Sequence, residues 1–187
     1  MNFETRTDLV RNLVSTGGVI AEVGVLNGEF SKELIEILKP SRIYMIDRFE
    51  GQCFSGDRDG NNGQTHDLDK AYSNLVEYAR SQPAVTLLKG DSSTMLGTLE
   101  PDYLDMVYLD GDHEYPGCKK DVIASWRLLK QGGWLMGHDY ATNTAKAKDA
   151  YVFGVKQAID EFCQEHNQTI HAFGNDGMVS FAIKISK

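Results

Sequence analysis

Apolar residues recur in short blocks that switch between two periods along the chain. Residues 19–24 (VIAEVG) form a compact apolar run ending in glycine and predict a strand. Residues 29–39 place Phe30, Leu34, Ile37 and Leu38 at helical spacing, and Pro40 stops the pattern, so a helix is predicted there. The alternation then continues. Strands are predicted over 42–47, 85–90, 103–110 and 134–139, with helices over 68–81, 92–99, 116–130 and 152–166. Pro116 sits in the first turn of its helix, and Gly132 and Gly133 stand at that helix's expected end. Two last strands, 169–174 and 178–185, flank Asn175, Asp176 and Gly177, which read as a hairpin turn. Residues 48–66, with Gly51, Gly56, Gly60 and Gly63, and residues 140–150 are expected to be long loops of the kind that cover or bind ligands.

Strands alternating with helices imply an α/β fold. The expected sheet is Rossmann-like, doubly wound and mostly parallel, with seven strands and helices on both faces. The final hairpin adds one antiparallel strand. No repeat, low-complexity stretch or linker interrupts the 187 residues, so 1–187 is expected to be a single domain. Ligands of such sheets bind beyond the carboxyl ends of the strands, at the switch point.

Composition narrows the classes of partner. Apolar residues make up 41% and charged residues 25%, as in an ordinary globular domain. The formal net charge is −8. No basic footprint for nucleic acid is visible, so a small-molecule substrate is expected. No apolar run is long enough to span a bilayer, and the N-terminus lacks a signal-peptide core, so neither membrane nor secretion is expected. Cys53, Cys118 and Cys163 are odd in number and widely spaced, which fits thiols in a reducing cytoplasm. The pattern leaves a homo-oligomer open.

The strand ends carry the candidate chemistry. After the first strand, Glu22, Gly24, Asn27 and Gly28 surround a tight turn where backbone N–H groups can approach a ligand; a plain turn is the alternative. The dinucleotide pattern G-x-G-x-x-G is absent, because Leu26 stands in place of its second glycine. Asp47 ends the second strand, where an acidic side chain suits ribose hydroxyls or simply caps a loop. Asp91 and Ser92 follow the third; Asp91 suits an exocyclic amine or a helix N-cap. Asp110, Asp112 and His113 follow the fourth, and His138 and Asp139 the fifth. Those two strands are expected to be neighbours, which brings Asp110 and Asp139 together. Converging carboxylates repel unless a cation or proton intervenes, so Mg²⁺ or another divalent cation is one reading and a metal-free hydrogen-bonded cluster the other. His138 or His113 would add a nitrogen ligand. His66, in the first long loop, is placed to meet substrate.

The segments AEVGVLNGEFS (21–31), IYMID (43–47), VTLLKGDS (85–92), LDMVYLDGDHEY (104–115), LLKQGGWLMGHDY (128–140) and GVKQAIDEF (154–162), in that order, resemble the class I S-adenosylmethionine-dependent methyltransferases. Within them the likeness is to macrocin-type and other antibiotic-sugar O-methyltransferases. The resemblance implies that Glu22, Gly24, Asn27, Gly28, Asp47, Asp91, Ser92 and Asp110 contact S-adenosylmethionine. It implies metal ligation by Asp110 and Asp139, and a base at Asp112, with His113 a second candidate whose pKa suits neutral pH. His138 stands where some metal-dependent members carry an acidic ligand. The implied reaction is methyl transfer to a hydroxyl of a sugar-like or phenolic small molecule. A nicotinamide-dependent oxidoreductase, which would also use Asp47, and a non-catalytic cofactor-binding protein are the competing readings.

Overall fold

The computed structural model describes residues 1–55, 64–141 and 153–187. The element order is β1 (Asn2–Phe3), α1 (Arg6–Leu13), β2 (Val19–Val23), α2 (Glu29–Leu38), β3 (Arg42–Asp47), β4 (Gln52–Ser55), β5 (Gln64–Asp67), α3 (Leu68–Arg80), β6 (Val85–Lys89), α4 (Ser92–Gly97), β7 (Leu104–Leu109), α5 (Tyr115–Leu128), β8 (Leu129–Gly137), α6 (Val155–Glu165), β9 (Ile170–Asn175) and β10 (Val179–Lys184). The main sheet runs β1-β9-β10-β8-β7-β2-β3-β6. Among the described residues of that sheet, only β10 is antiparallel to its neighbours.

The expected doubly wound α/β fold is therefore present, with eight strands rather than seven. The extra strand is β1, two residues paired in parallel with β9 through Asn2 and Phe173. A two-residue strand carries no period for a sequence reading to detect. Residues 48–66 are more than a loop: β4 and β5 pair antiparallel, Cys53 opposite His66. Residues 56–63 of that expected loop, 142–150 of the second and residue 152 of the last predicted helix lie outside the described residues.

The helix expected to reach residue 130 ends at Leu128, and β8 starts at once. Leu129 pairs with Leu104 and Trp134 with Met106, so residues 130–133 form an excursion between two points of one strand. Gly132 has φ +78° there, which suits glycine. It bends a strand instead of ending a helix. The regular part of β8 is the stretch from Trp134.

Two apolar layers follow from the pleat, because successive strand side chains point to opposite faces. Val107 and Leu109 of β7 join Val122, Ile159 and Phe162 of α5 and α6 in one cluster. Met106 and Tyr108 join Leu9 of α1, Leu34 of α2 and Leu75 of α3 in the other. Packing on both faces leaves the strand tips as the free edge of the core. No disulfide involves the three cysteines. Among the described residues, no helix is long and apolar enough to cross a membrane.

Candidate active site

The tips of β6, β3, β2, β7 and β8 lie side by side in that order along one end of the sheet. At the β2 tip the chain turns through Gly24, with φ +84°. A Cβ on Gly24 would lie 2.0 Å from the Asp110 carbonyl oxygen, so the close approach of the β7 tip requires glycine. Leu26 also takes a left-handed φ of +54°. Gly28, at φ +80°, is the N-cap of α2 without a side-chain cap, and a Cβ there would lie 2.6 Å from Leu75.

Asp47 ties this turn down. Its Oδ2 accepts from the N–H groups of Val25 (2.9 Å) and Leu26 (3.0 Å), and its Oδ1 accepts from Phe49 (3.0 Å). One lone pair of Oδ1 is left for a ligand hydroxyl. The Asn27 amide meets His66 Nδ1 at 3.0 Å, which links the turn to β5. Glu22 is buried, with 1% of its surface exposed, and accepts the Ser31 hydroxyl. Burial pushes its carboxyl up to about 8; the Ser31 bond opposes that shift, while the Asp110 charge adds to it.

At the β6 tip Asp91 is the N-cap of α4. Its Oδ1 accepts from the Thr94 N–H (2.9 Å), the Thr94 hydroxyl (2.7 Å) and the Ser93 hydroxyl (2.8 Å). The capping alternative is thus realised, and all three bonds converge on one of its two oxygens. Ser92 turns inward and donates to the buried Asp121 of α5 at 2.6 and 2.8 Å. Burial holds Asp121 up at about 6 despite that bond.

The β7 and β8 tips bring the second group together. Asp110, His113 and Asp139 each offer a ligand atom within 4.8 Å of the others. His113 Nε2 lies 3.2 Å from Asp139 Oδ2 and 3.5 Å from Asp110 Oδ1. Its ring stacks 5.5 Å from Phe153. His138 Nδ1 lies 3.6 Å from Asp139 and 3.8 Å from Asp110, and its Nε2 is 3.5 Å from Asp176. Asp139 is 6% exposed and holds φ +55°. Burial works against the charged form of both imidazoles, but contacts with Asp110 and Asp139 outweigh it, and both pKa values are raised. Asp112 stands apart. It is exposed, its Oδ1 accepts from the Glu114 N–H at 2.9 Å, and its Oδ2 occupies the space a Cβ on Gly117 would need.

Residues 21–140 match the family described as "Methyltransferase domain". The chain belongs to the methyltransferase domain family. No curated protein matches it. Solved structures share its fold at low identity. A Staphylococcus aureus protein assigned as a caffeoyl-CoA O-methyltransferase has TM-score 0.67 and 18% identity, over 96% of this chain and 82% of that one. Aeropyrum pernix fibrillarin, solved with natively bound S-adenosyl-L-methionine, has TM-score 0.62 and 15% identity, over 95% and 72%. A B. subtilis tRNA methyltransferase has TM-score 0.65 and 12% identity, over 99% and 67%.

The chain is thus a methyltransferase domain by family, on the fold these solved structures share. The residues of its edge fit an adenosyl cofactor better than a dinucleotide. A pyrophosphate needs unspent N–H groups at the glycine turn. Those of Val25 and Leu26 are engaged by Asp47, and the surrounding acids would repel phosphate. The nicotinamide reading loses its cradle.

One residue of this edge was not legible in the sequence. Arg6, the first residue of α1, donates through Nη1 to Asp110 Oδ2 at 3.2 Å, and its guanidinium lies 4.2 Å above the Phe30 ring. Arg6 and Asp110 are 104 residues apart, and no motif surrounds Arg6. Asp121 was missed for a similar reason: its partner Ser92 sits on another helix, 29 residues away.

Proposed function

We propose that the methyltransferase transfers the methyl group of S-adenosylmethionine to a hydroxyl oxygen of a sugar-like or phenolic small molecule, with a divalent cation such as Mg²⁺ at Asp110 and Asp139; His138, expected as a third ligand, lies farther from both carboxylates than His113 does. The observation that carries this reading is the convergence of Asp110, His113 and Asp139 at the tips of adjacent strands. The likeness of its motifs to sugar O-methyltransferases supports the acceptor class, and the net charge of −8 argues against a nucleic-acid acceptor.

The cofactor supplies an activated methyl group on a sulfonium, and the remaining chemistry falls to the chain. Asp47 and Asp91 hold the adenosyl end, whereas Ser92, expected there too, spends its hydroxyl on Asp121. Orientation of donor and acceptor can contribute about 7–11 kcal/mol. Asp110 and Asp139 would hold a hard cation, which would make the acceptor hydroxyl more acidic. His113, 3.2 Å from Asp139, is placed to take the acceptor proton. Asp112, turned back onto the Glu114 N–H, serves the turn into α5.

Two measurements test this. S-adenosylmethionine at 100 times its Kd adds about 2.7 kcal/mol of stability, a rise in Tm of roughly 5–10 °C; no shift at millimolar concentration would remove the cofactor reading. Label transfer from methyl-labelled cofactor to a panel of glycosides and phenols should need a divalent cation. Asp139→Asn should spare cofactor binding and lower turnover by about 100-fold or more. Undiminished turnover of that variant in EDTA would end the metal role.

A further inference from the structure

We infer that Arg6 binds the carboxylate of the cofactor's amino-acid end. The inference rests on the cofactor reading above and concerns a residue outside every motif of the chain.

The strand order sets the direction of the cofactor. Asp47 and Asp91 stand at the tips of β3 and β6, on one side of β2. An adenosyl group held there must point its amino-acid end the other way, toward the tips of β2 and β7. The Arg6 guanidinium sits at that point. It lies 4.2 Å over Phe30 in the first turn of α2, and 3.2 Å from Asp110 just beyond β7. Its charge is close enough to counter the raised pKa of Glu22 at the end of β2.

The electrostatics require such a group. The edge carries Asp47, Asp110, Asp139 and Asp176, so an arriving carboxylate is repelled unless a fixed cation receives it. A guanidinium offers five N–H donors in a planar fork that matches a carboxylate. The Asp110 contact engages Nη1 alone. The aromatic ring beneath it fixes the plane of the fork before the ligand arrives. The position of Arg6 is itself fixed. Thr5 is the N-cap of α1, and the Arg6 backbone N–H donates to Asp176 at 3.2 Å. α1 is thereby a binding element as well as part of the core.

Calorimetric titration with two ligands isolates the contact. S-adenosylhomocysteine carries the carboxylate, and methylthioadenosine has the same adenosyl group without the amino acid. Arg6→Gln should weaken S-adenosylhomocysteine by about 10- to 100-fold, the range of a charge-assisted contact. It should leave methylthioadenosine within about twofold of wild type. Arg6→Lys, which keeps the charge and loses the fork, should fall between. Retained methylthioadenosine binding also reports that the variant is folded. Equal weakening of both ligands, or no weakening of either, would overturn the assignment to Arg6. A wild-type protein that binds neither ligand would overturn the cofactor reading itself.

Discussion

Glu22 shows how a single buried side chain can be read for its protonation state. It was expected as a cofactor contact, but it faces Ser31 inside the protein, and burial raises its pKa from 4.5 to about 8. A group whose pKa is higher in the folded state adds stability that is complete below its unfolded pKa. That contribution is lost as the pH rises toward the folded value. The methyltransferase should therefore lose stability between pH 5 and 8 through Glu22. Glu22→Gln, which cannot ionise and keeps an acceptor for Ser31, should gain on wild type across that window. The difference should reach on the order of 2 kcal/mol, roughly 5 °C in Tm. Parallel melting curves at every pH would show that Glu22 is not the titrating group. The motif identified Glu22 as special; only its burial against Ser31 shows that its carboxyl is held neutral at pH 7.

Among the elements, α1 departs furthest from what the hydrophobic pattern predicts. Its eight residues, RTDLVRNL, bury only Leu9 and Val10, which is too few repeats to establish a helical period. An isolated helix of two turns is marginal in water, and tertiary packing stabilises it. Both side chains are fully buried in the cluster shared with α2, β7 and β8, and α1 itself packs against β9 and α2. Leu9→Ala should cost about 2–4 kcal/mol, seen as a Tm lower by roughly 6–12 °C in a thermal melt. A loss below about 0.5 kcal/mol, as at a surface site, would mean that α1 is not docked. The long central elements were legible for the opposite reason. α2 carries four buried positions at helical spacing, and the central strands are continuous apolar runs covered on both faces.

On the scale of the whole molecule, both apolar clusters share one sheet, and strands such as β7 contribute alternate residues to each. Neither layer can separate without exposing the other. We propose that 1–187 unfolds as one unit: calorimetry should show a single transition whose van't Hoff and calorimetric enthalpies agree. Two resolved transitions would contradict a single domain. The same architecture explains why the acids meet. Parallel pairing of β7 with β8 places Leu109 opposite Gly137, and the next residues on each chain, Asp110 and His138 with Asp139, leave the sheet together.

Taken alone, the amino-acid sequence determined the order of the central strands and helices, though not β1, α1, β4 or β5, the parallel winding with its final antiparallel strand, and which strand ends carry Gly24, Asp47, Asp110 and Asp139. These are local properties: period, punctuation by glycine and proline, and the residue that follows an apolar run. Tertiary structure alone decided which acids are spent on the backbone, as at Asp47, and which cap a helix, as at Asp91. It also decided that His113 lies nearer than His138 to the two carboxylates, and that Arg6 reaches Asp110. Those relations depend on side-chain direction and on contacts between distant segments, and no one-dimensional pattern encodes either.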